Sequence, residues 1–123
     1  MKSILLVFFG GGLGSSLRYI VGKYLNVETN TFPWGTFAVN LIGSLIIGLV
    51  LGWILQKSKL SNEVLLFVIA GFCGGFTTFS AFANESLNML RFGNTSLFFT
   101  YVLSSIVFGL LCVWLGYFSV KLF

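Results

Sequence analysis

Four stretches of this chain of 123 residues contain no charged side chain, and they constrain its fold more than any other feature. They cover residues 3–17, 33–56, 64–84 and 92–120. About 18 uninterrupted apolar residues are enough for a helix to cross a bilayer, and the last three stretches exceed that length. Only 8% of the residues are charged, against about 25% in an ordinary soluble domain. The chain is therefore predicted to be an all-α membrane protein with four transmembrane helices.

The predicted organisation is one transmembrane domain over residues 1–123, with helices at about 3–23, 33–56, 63–86 and 95–120. The first uncharged stretch is short unless Arg18 is taken into the membrane. Lys2 followed by an apolar segment also fits a signal peptide, but the many glycines that follow favour a retained helix. A multi-pass protein of the cell membrane, embedded in the lipid bilayer, is therefore expected.

Basic residues are almost evenly divided between the two sides of the predicted bundle. Four helices place both termini on one side, which carries four basic residues, Lys2, Lys57, Lys59 and Lys121. The other side carries three, Arg18, Lys23 and Arg91. Since an excess of Lys and Arg normally marks the cytoplasmic side, either this small difference sets one orientation or the chain inserts both ways. In the second case two oppositely oriented copies can pair as an antiparallel dual-topology homodimer.

The third predicted helix contains a segment that does not suit a plain membrane helix. Residues 71–82 read Gly-Phe-Cys-Gly-Gly-Phe-Thr-Thr-Phe-Ser-Ala-Phe. Glycines and β-branched threonines this close together predict that the helix is broken at mid-membrane. Freed backbone groups at that depth are tolerated only where they are buried in protein or line a cavity, and unwound segments are where membrane proteins place ions. The break therefore indicates a protein that handles an ion.

The second helix carries a stripe of small or polar residues spaced four apart, so that they share one face. Glycines in such a stripe let helices approach closely. Asn40 is harder to explain by packing, because an amide at mid-membrane is costly without a partner. It is a candidate either for an ion pathway or for a hydrogen bond between helices. The stripe consists of Thr36, Asn40, Ser44, Gly48 and Gly52.

Two pairs of residues on the other helices are also candidates. Tyr101 and Ser105 share a face of the fourth helix with Gly109, and their hydroxyls can serve a polar track or bond a neighbouring helix. Phe79 and Phe82 lie three residues apart, directly after the predicted break. Their rings project either into a pathway or into ordinary core and lipid contacts.

Arg18 lies near the end of the first helix and must pair, snorkel or face water. Glu85, near the end of the third helix, is one possible partner.

The polar candidates, which include Ser80, favour an anion because they donate hydrogen bonds and no acid lies within the uncharged stretches. A cation pathway often uses rings of acidic side chains, and the edges of phenyl rings are positive. Carbonyls freed at the break point the other way, since they suit a cation such as sodium. An anion track and a separate cation site are therefore both open.

Other classes of function are not expected. The chain has no histidine, no nucleophile–base pair and no cluster of metal ligands, so it is not predicted to be an enzyme. The net charge of +4 is dispersed without a basic cluster, so nucleic acid is not an expected partner.

Three segments resemble, in the same order, the signature sequences of the Fluc/CrcB family of fluoride channels. They are residues 11–19 (Gly-Gly-Leu-Gly-Ser-Ser-Leu-Arg-Tyr), 35–44 (Gly-Thr-Phe-Ala-Val-Asn-Leu-Ile-Gly-Ser) and 74–82 (Gly-Gly-Phe-Thr-Thr-Phe-Ser-Ala-Phe). The length and the four-helix plan also fit, so the resemblance covers essentially the whole chain. It implies an antiparallel dual-topology homodimer with two pores, which exports fluoride passively and selectively and protects a microbial cell.

The resemblance also implies roles for individual residues. Phe79 and Phe82 would line the pores through their ring edges, and Asn40 would donate to fluoride. The polar track would continue through Thr36, Ser80, Tyr101 and Ser105. Backbone carbonyls of Gly74 and Thr77 from both subunits would hold one structural sodium ion at the dimer interface, and Arg18 and Glu85 would belong to the vestibule or brace the fold. Some relatives have a third hydroxyl where this chain has Gly109, which puts the far end of the track in doubt.

Two alternatives from other classes remain. A small multidrug exporter is also a four-helix dual-topology dimer, but it exchanges protons at a glutamate in its first helix, where this chain has no acid. A membrane scaffold that transports nothing would use Asn40 and the glycine stripe for packing alone.

Overall fold

The computed structural model describes residues 1–26, 28, 30–56 and 60–122, and helices make up most of this part of the chain. Lys57 and Lys59, which contribute to the charge balance above, lie outside the described residues. Three long helices run without interruption, namely α1 (Lys2–Leu25), α2 (Trp34–Gln56) and α5 (Thr95–Leu122). Between α2 and α5 lie two further helices, α3 and α4.

The helix α3 consists of three consecutive segments, Asn62–Leu65, Leu66–Cys73 and Gly74–Phe76, of which the middle one is π-helical. The helix α4 covers Phe79–Arg91 and ends beyond residue 86, the predicted end. It continues through the polar Asn84-Glu85-Ser86 sequence, where Asn84 is exposed and the side chains of Glu85 and Ser86 have hydrogen-bond partners. The Ser86 hydroxyl, for example, donates to the Phe82 carbonyl at 2.7 Å.

The interruption between α3 and α4 is confined to two residues. Thr77 and Thr78 have extended dihedral angles, with φ of −80° and −150° and ψ of 156° and 118°. The glycines of residues 71–82 remain helical. Gly75 serves close packing instead, because a Cβ there would lie 3.0 Å from the Cα of Gly11. The segment is therefore divided between a glycine-rich contact surface and a short extended turn.

The helices pack in two pairs, α1 along α3 and α2 along α5. Glycines form the seam of the second pair. A Cβ on Gly52 would lie 2.6 Å from the carbonyl oxygen of Tyr117, and Gly48 and Gly116 approach the facing backbone as closely. This is the close helix approach that small residues allow in membranes. It explains why Gly48 and Gly52 belong to the α2 stripe.

The described residues form four helical spans that are long and apolar enough to cross a membrane, of which the third combines α3 and α4: Lys2–Leu25, Trp34–Gln56, Asn62–Arg91 and Thr95–Leu122. Most of their large apolar side chains point outward. Leu110, Trp114 and Phe8, for instance, are all exposed. Exposed apolar surface of this extent suits lipid or another membrane-embedded subunit. The chain is a multi-pass membrane protein.

Candidate functional site

A groove of about 340 Å³ lies where α2, α5 and the interruption after α3 meet. Its wall combines aromatic rings and aliphatic side chains with hydroxyl and amide groups. It brings together Asn40, Phe79, Phe82 and Ser105, which sequence analysis selected on three different helices. The lining residues are Asn40, Ser44, Ile47, Thr77, Thr78, Phe79, Phe82, Ser105, Ile106 and Gly109.

Asn40 holds the interruption in place. Its Oδ1 accepts a hydrogen bond from the Thr78 N–H at 2.8 Å, and its Nδ2 donates to the Thr78 carbonyl at 3.3 Å. An isolated backbone group in the membrane interior is costly, and the amide satisfies both groups of the same residue. An amide nitrogen has two N–H donors, so one remains for another acceptor. Asn40 therefore both bonds a neighbouring helix and lines the groove.

Phe79 and Phe82 begin α4 and differ sharply in their surroundings. Phe79 is 80% exposed, so its ring adds little to the core of the protomer. Phe82 is half-buried and packs against Phe79 and Tyr101, with ring centroids 5.8 and 5.1 Å apart. The Thr78 hydroxyl caps α4 by accepting the Ala81 N–H at 3.2 Å. This cap places both rings directly beside the interruption.

Ser105 contributes an unused hydroxyl to the groove. Its Oγ is buried and has no hydrogen-bond partner within the part of the chain that the structure describes. Buried polar groups are normally paired, so the Ser105 hydroxyl is a candidate donor for a ligand that enters the groove. One turn further, a Cβ on Gly109 would lie 4.0 Å from the Ser44 hydroxyl. Ser44 therefore supplies a hydroxyl beside the position where α5 has only Gly109.

A second group of polar side chains, here the Glu85 cluster, consists of Asn26, Thr36, Glu85 and Tyr101. The Thr36 hydroxyl donates to Glu85 Oε1 at 2.6 Å, and the Tyr101 hydroxyl donates to Oε2 at 2.7 Å. Asn26 Nδ2 donates to Thr36 Oγ1 at 3.1 Å and to Glu85 Oε1 at 3.4 Å. Three donors thus converge on the carboxylate of Glu85, which the sequence resemblance assigns to the vestibule or to bracing the fold.

The Glu85 cluster lies between the groove and a second cavity of about 230 Å³, here the loop cavity. Phe82 lines the groove and contacts Tyr101, which is fully buried and bonds Glu85. Glu85 and Asn26 in turn line the loop cavity. The two cavities are therefore connected by a continuous set of contacting side chains, two of which are aromatic rings.

Arg18 bonds to the end of α3 and not to Glu85, which corrects the pairing of these two residues considered above. Its Nε donates to the Gly75 carbonyl at 2.9 Å, and Ser15 donates to the same oxygen at 3.3 Å. The last carbonyls of a helix lack intrahelical donors and carry partial negative charge. A cation from α1 therefore stabilises the end of α3 just before the interruption.

The carbonyl oxygens of Gly74 and Thr77 accept no hydrogen bond from any residue that the structure describes. The Thr77 N–H still bonds back to Cys73, at 3.0 Å, whereas the Thr78 N–H turns to Asn40 instead of Gly74. Two unpaired carbonyls next to an interruption are hard oxygen ligands of the kind that alkali cations take. The carbonyl oxygens of Gly74 and Thr77 are therefore chemically suited to an alkali cation.

Some predicted site residues lie apart from the groove, and two residues, one in the Glu85 cluster and one in the groove wall, were not predicted to belong to the site. Ser80 is exposed and is not part of the groove wall, although its hydroxyl lies 3.3 Å from that of Thr78. Thr36 and Tyr101 belong to the Glu85 cluster. Asn26 was missed because a lone asparagine after a helix resembles an ordinary helix end. Ser44 was noticed on the α2 stripe but was not assigned to the site.

The family model and the similar proteins that match this chain all point to one family. Residues 5–117 match the family model described as "CrcB-like protein, Camphor Resistance (CrcB)". A protein of Phocaeicola vulgatus named "Fluoride-specific ion channel FluC" is 50% identical over 118 residues, which covers 94% of this chain and 96% of that protein. Proteins with the same name from Bacteroides fragilis and Flavobacterium psychrophilum are 49% and 42% identical, with 94% of both chains covered in each case.

Proposed function

Because this chain belongs to the CrcB-like protein family, we propose that it is a fluoride-specific ion channel of the cell membrane. The relatives are named as ion channels, which agrees with the expectation that the chain is not an enzyme. The observation that carries the proposal is the groove, which Ser105 lines together with Asn40 and two phenyl rings, and in which the Ser105 hydroxyl bonds none of the described residues.

The groove suits a small, strongly hydrated anion. Such an ion enters only where the protein replaces its water with other donors. Ser105, Ser44 and the remaining N–H of Asn40 can donate, and ring edges add positive potential. The pathway runs from the loop cavity past the Glu85 cluster into the groove.

Passive conduction is enough for export. A membrane potential that is negative inside favours the exit of an anion by about 2.3 kcal/mol per charge for each 100 mV. A small multidrug exporter would instead need an acid in α1, and the sequence of α1 has none. Fluoride leaves without a coupled proton, which lowers its concentration in the cytoplasm and so its toxicity.

The working unit of this proposal is an antiparallel homodimer with two pores. Phe79, a pore-lining candidate, is 80% exposed in one protomer, and a second copy is the simplest group to cover it. The basic residues also give a weak orientation signal. They number four on the side of the termini and three on the other, and one of those three, Arg18, is bonded to Gly75.

Dual topology predicts that reporter domains fused to the C-terminus will be active on both sides of the membrane. We expect a cytoplasmic and an extracytoplasmic reporter each to give a signal well above that of a matched single-topology protein. Adding one lysine near a helix end should shift the ratio strongly, because the charge difference is so small. A signal on one side only, unmoved by added lysines, would exclude the antiparallel dimer.

The proposal includes one structural sodium ion at the dimer interface. Gly74 and Thr77 of each protomer would hold it through their unpaired carbonyls, and it would neutralise partial negative charge at the interruption. The support is the chemistry of these oxygens, and its test is the sodium-free arm of the following experiment.

Fluoride efflux from liposomes that contain the purified protein tests the channel directly. With potassium and valinomycin to balance charge, we expect release within seconds to minutes, measured with a fluoride electrode, and no release of chloride from matched liposomes. Protein-free liposomes are the control, and efflux no faster than theirs would refute the channel. A second arm replaces sodium with N-methylglucamine from purification onward. Unchanged efflux and dimer content there would remove the sodium ion from the proposal and leave the channel standing.

A further inference from the structure

We propose that Asn26 is a positioning residue for fluoride conduction, because its amide holds the Thr36 hydroxyl and the Glu85 carboxylate at the junction of the loop cavity and the groove. This inference rests on the proposed channel function. Asn26 lies outside the three segments that resemble the family signatures.

The amide of Asn26 uses both of its functional groups. Its Oδ1 accepts the N–H of Gly35, the second residue of α2, at 2.7 Å. Its Nδ2 donates to Thr36 and to Glu85 at 3.1 and 3.4 Å. One side chain at the end of α1 thus joins the first turn of α2 to the middle of α4. Only asparagine and glutamine carry an amide with one acceptor oxygen and two N–H donors, and glutamine is one methylene longer.

The backbone around this amide leaves little free space. A Cβ on Gly35 would lie 2.8 Å from the Oδ1 of Asn26 and 3.0 Å from the Cα of Gly22. Thr36, the next residue, is only 5% exposed. The position of the amide is therefore set by the backbone of two helix ends, which makes it a rigid support for its partners.

The position of the Asn26 amide affects conduction because its partner Glu85 is negatively charged when ionised. A free carboxylate at the entry of an anion path repels the ion, whereas a carboxylate that accepts three hydrogen bonds has its charge offset by the donors. Asn26 supplies one of these donors and also orients Thr36, which supplies another. Without Asn26, Glu85 loses one of its three donors on the side that lines the loop cavity, and Thr36 loses the amide that orients its hydroxyl.

Two substitutions distinguish the bonds of Asn26 to Thr36 and Glu85 from its bond to the Gly35 N–H at the start of α2. Asn26→Asp is isosteric and still accepts from Gly35, but it cannot donate to Thr36 or Glu85. Asn26→Leu removes all three bonds without changing the charge. We expect each to lower fluoride efflux per folded dimer by about tenfold, the factor that corresponds to one hydrogen bond to a charged group. The matched control is Gln56→Leu, which also removes an interhelical amide bond, to the Tyr117 carbonyl at 3.0 Å, far from the pathway.

A double-substitution cycle with Thr36→Val provides a measurement that a purely structural role would not affect. If Asn26 acts through Thr36 and Glu85, Asn26→Leu combined with Thr36→Val should conduct about as well as the poorer single variant. Independent structural losses would instead multiply. Dimer content and melting temperature are measured in parallel, so that efflux is expressed per folded protein.

The outcomes are distinct. Efflux within about twofold of wild type in both Asn26 variants overturns the inference, as does a loss in Asn26→Leu that Asn26→Asp does not share, since the bond to Gly35 would then explain it. Multiplicative losses in the cycle overturn it as well. Failure of the wild-type protein to conduct would overturn the proposed function and this inference together.

Discussion

Replacing Phe79 or Phe82 by isoleucine should lower fluoride efflux by about tenfold while the dimer remains folded. The estimate takes the upper end of the roughly 0.5–1.5 kcal/mol that a favourable aromatic contact contributes, because about 1.4 kcal/mol corresponds to a factor of ten. Isoleucine keeps a branched apolar side chain but has no positive edge to present to an anion.

The two rings differ in what else they support, which helps to interpret the result. Phe79 is 80% exposed in the protomer, so its replacement should leave the protomer intact. Phe82 packs on Tyr101, with ring centroids 5.1 Å apart, so its replacement also loosens the Glu85 cluster. If the rings act independently, the double variant should lose about a hundredfold.

A suitable control is Phe99→Ile, because Phe99 is an exposed phenylalanine on α5 that does not line the groove. Efflux is measured with a fluoride electrode and dimer content by size-exclusion chromatography. Unchanged efflux in both single variants would return the rings to the alternative of ordinary core and lipid contacts.

Replacing Asn40 by aspartate should nearly abolish conduction. The new carboxylate oxygen would face the Thr78 carbonyl, to which Asn40 now donates at 3.3 Å, so an attraction becomes a repulsion. A full negative charge about 5 Å from a passing fluoride, at an effective dielectric constant of about 20, adds roughly 3 kcal/mol. That corresponds to a loss of about a hundredfold or more.

Two further variants identify the cause of this loss. Asn84→Asp makes the same chemical change on the exposed side of α4, away from the groove lining, and should conduct like wild type. Asn40→Ala removes the bonds to Thr78 without adding charge, and we expect an intermediate rate. Wild-type efflux in Asn40→Asp would show that Asn40 serves helix packing alone, which is the scaffold interpretation.

Most of the groove could be predicted from the sequence because its residues follow local patterns. Asn40 lies on a stripe spaced four apart, Ser105 on a similar stripe, and the two phenylalanines follow a Gly-Thr segment. These features depend only on helical periodicity and on the cost of polar groups in lipid. The resemblance of three segments to the Fluc/CrcB family is confirmed by the family model and by relatives that are 42% to 50% identical.

The partners of the charged side chains could not be predicted from local patterns. Glu85 bonds Thr36, which is 49 residues away in the chain, and Asn26, which is 59 residues away. Arg18 bonds a backbone carbonyl 57 residues away. Nothing in a linear pattern distinguishes such an oxygen from any other, so the pairing of Arg18 with Glu85 seemed equally reasonable.

The sequence by itself determined that this chain crosses a membrane four times and which polar residues share a helix face. Both follow from hydropathy and helical spacing, which are properties of neighbouring residues. Only the tertiary structure decided that the interruption is two threonines wide, that Asn40 fastens it, and that Asn26 joins three helices around Glu85. These are outcomes of how glycine seams set the distances between helices. A hydrogen bond forms only within a few tenths of an ångström of its ideal length, so its partners are chosen by packing.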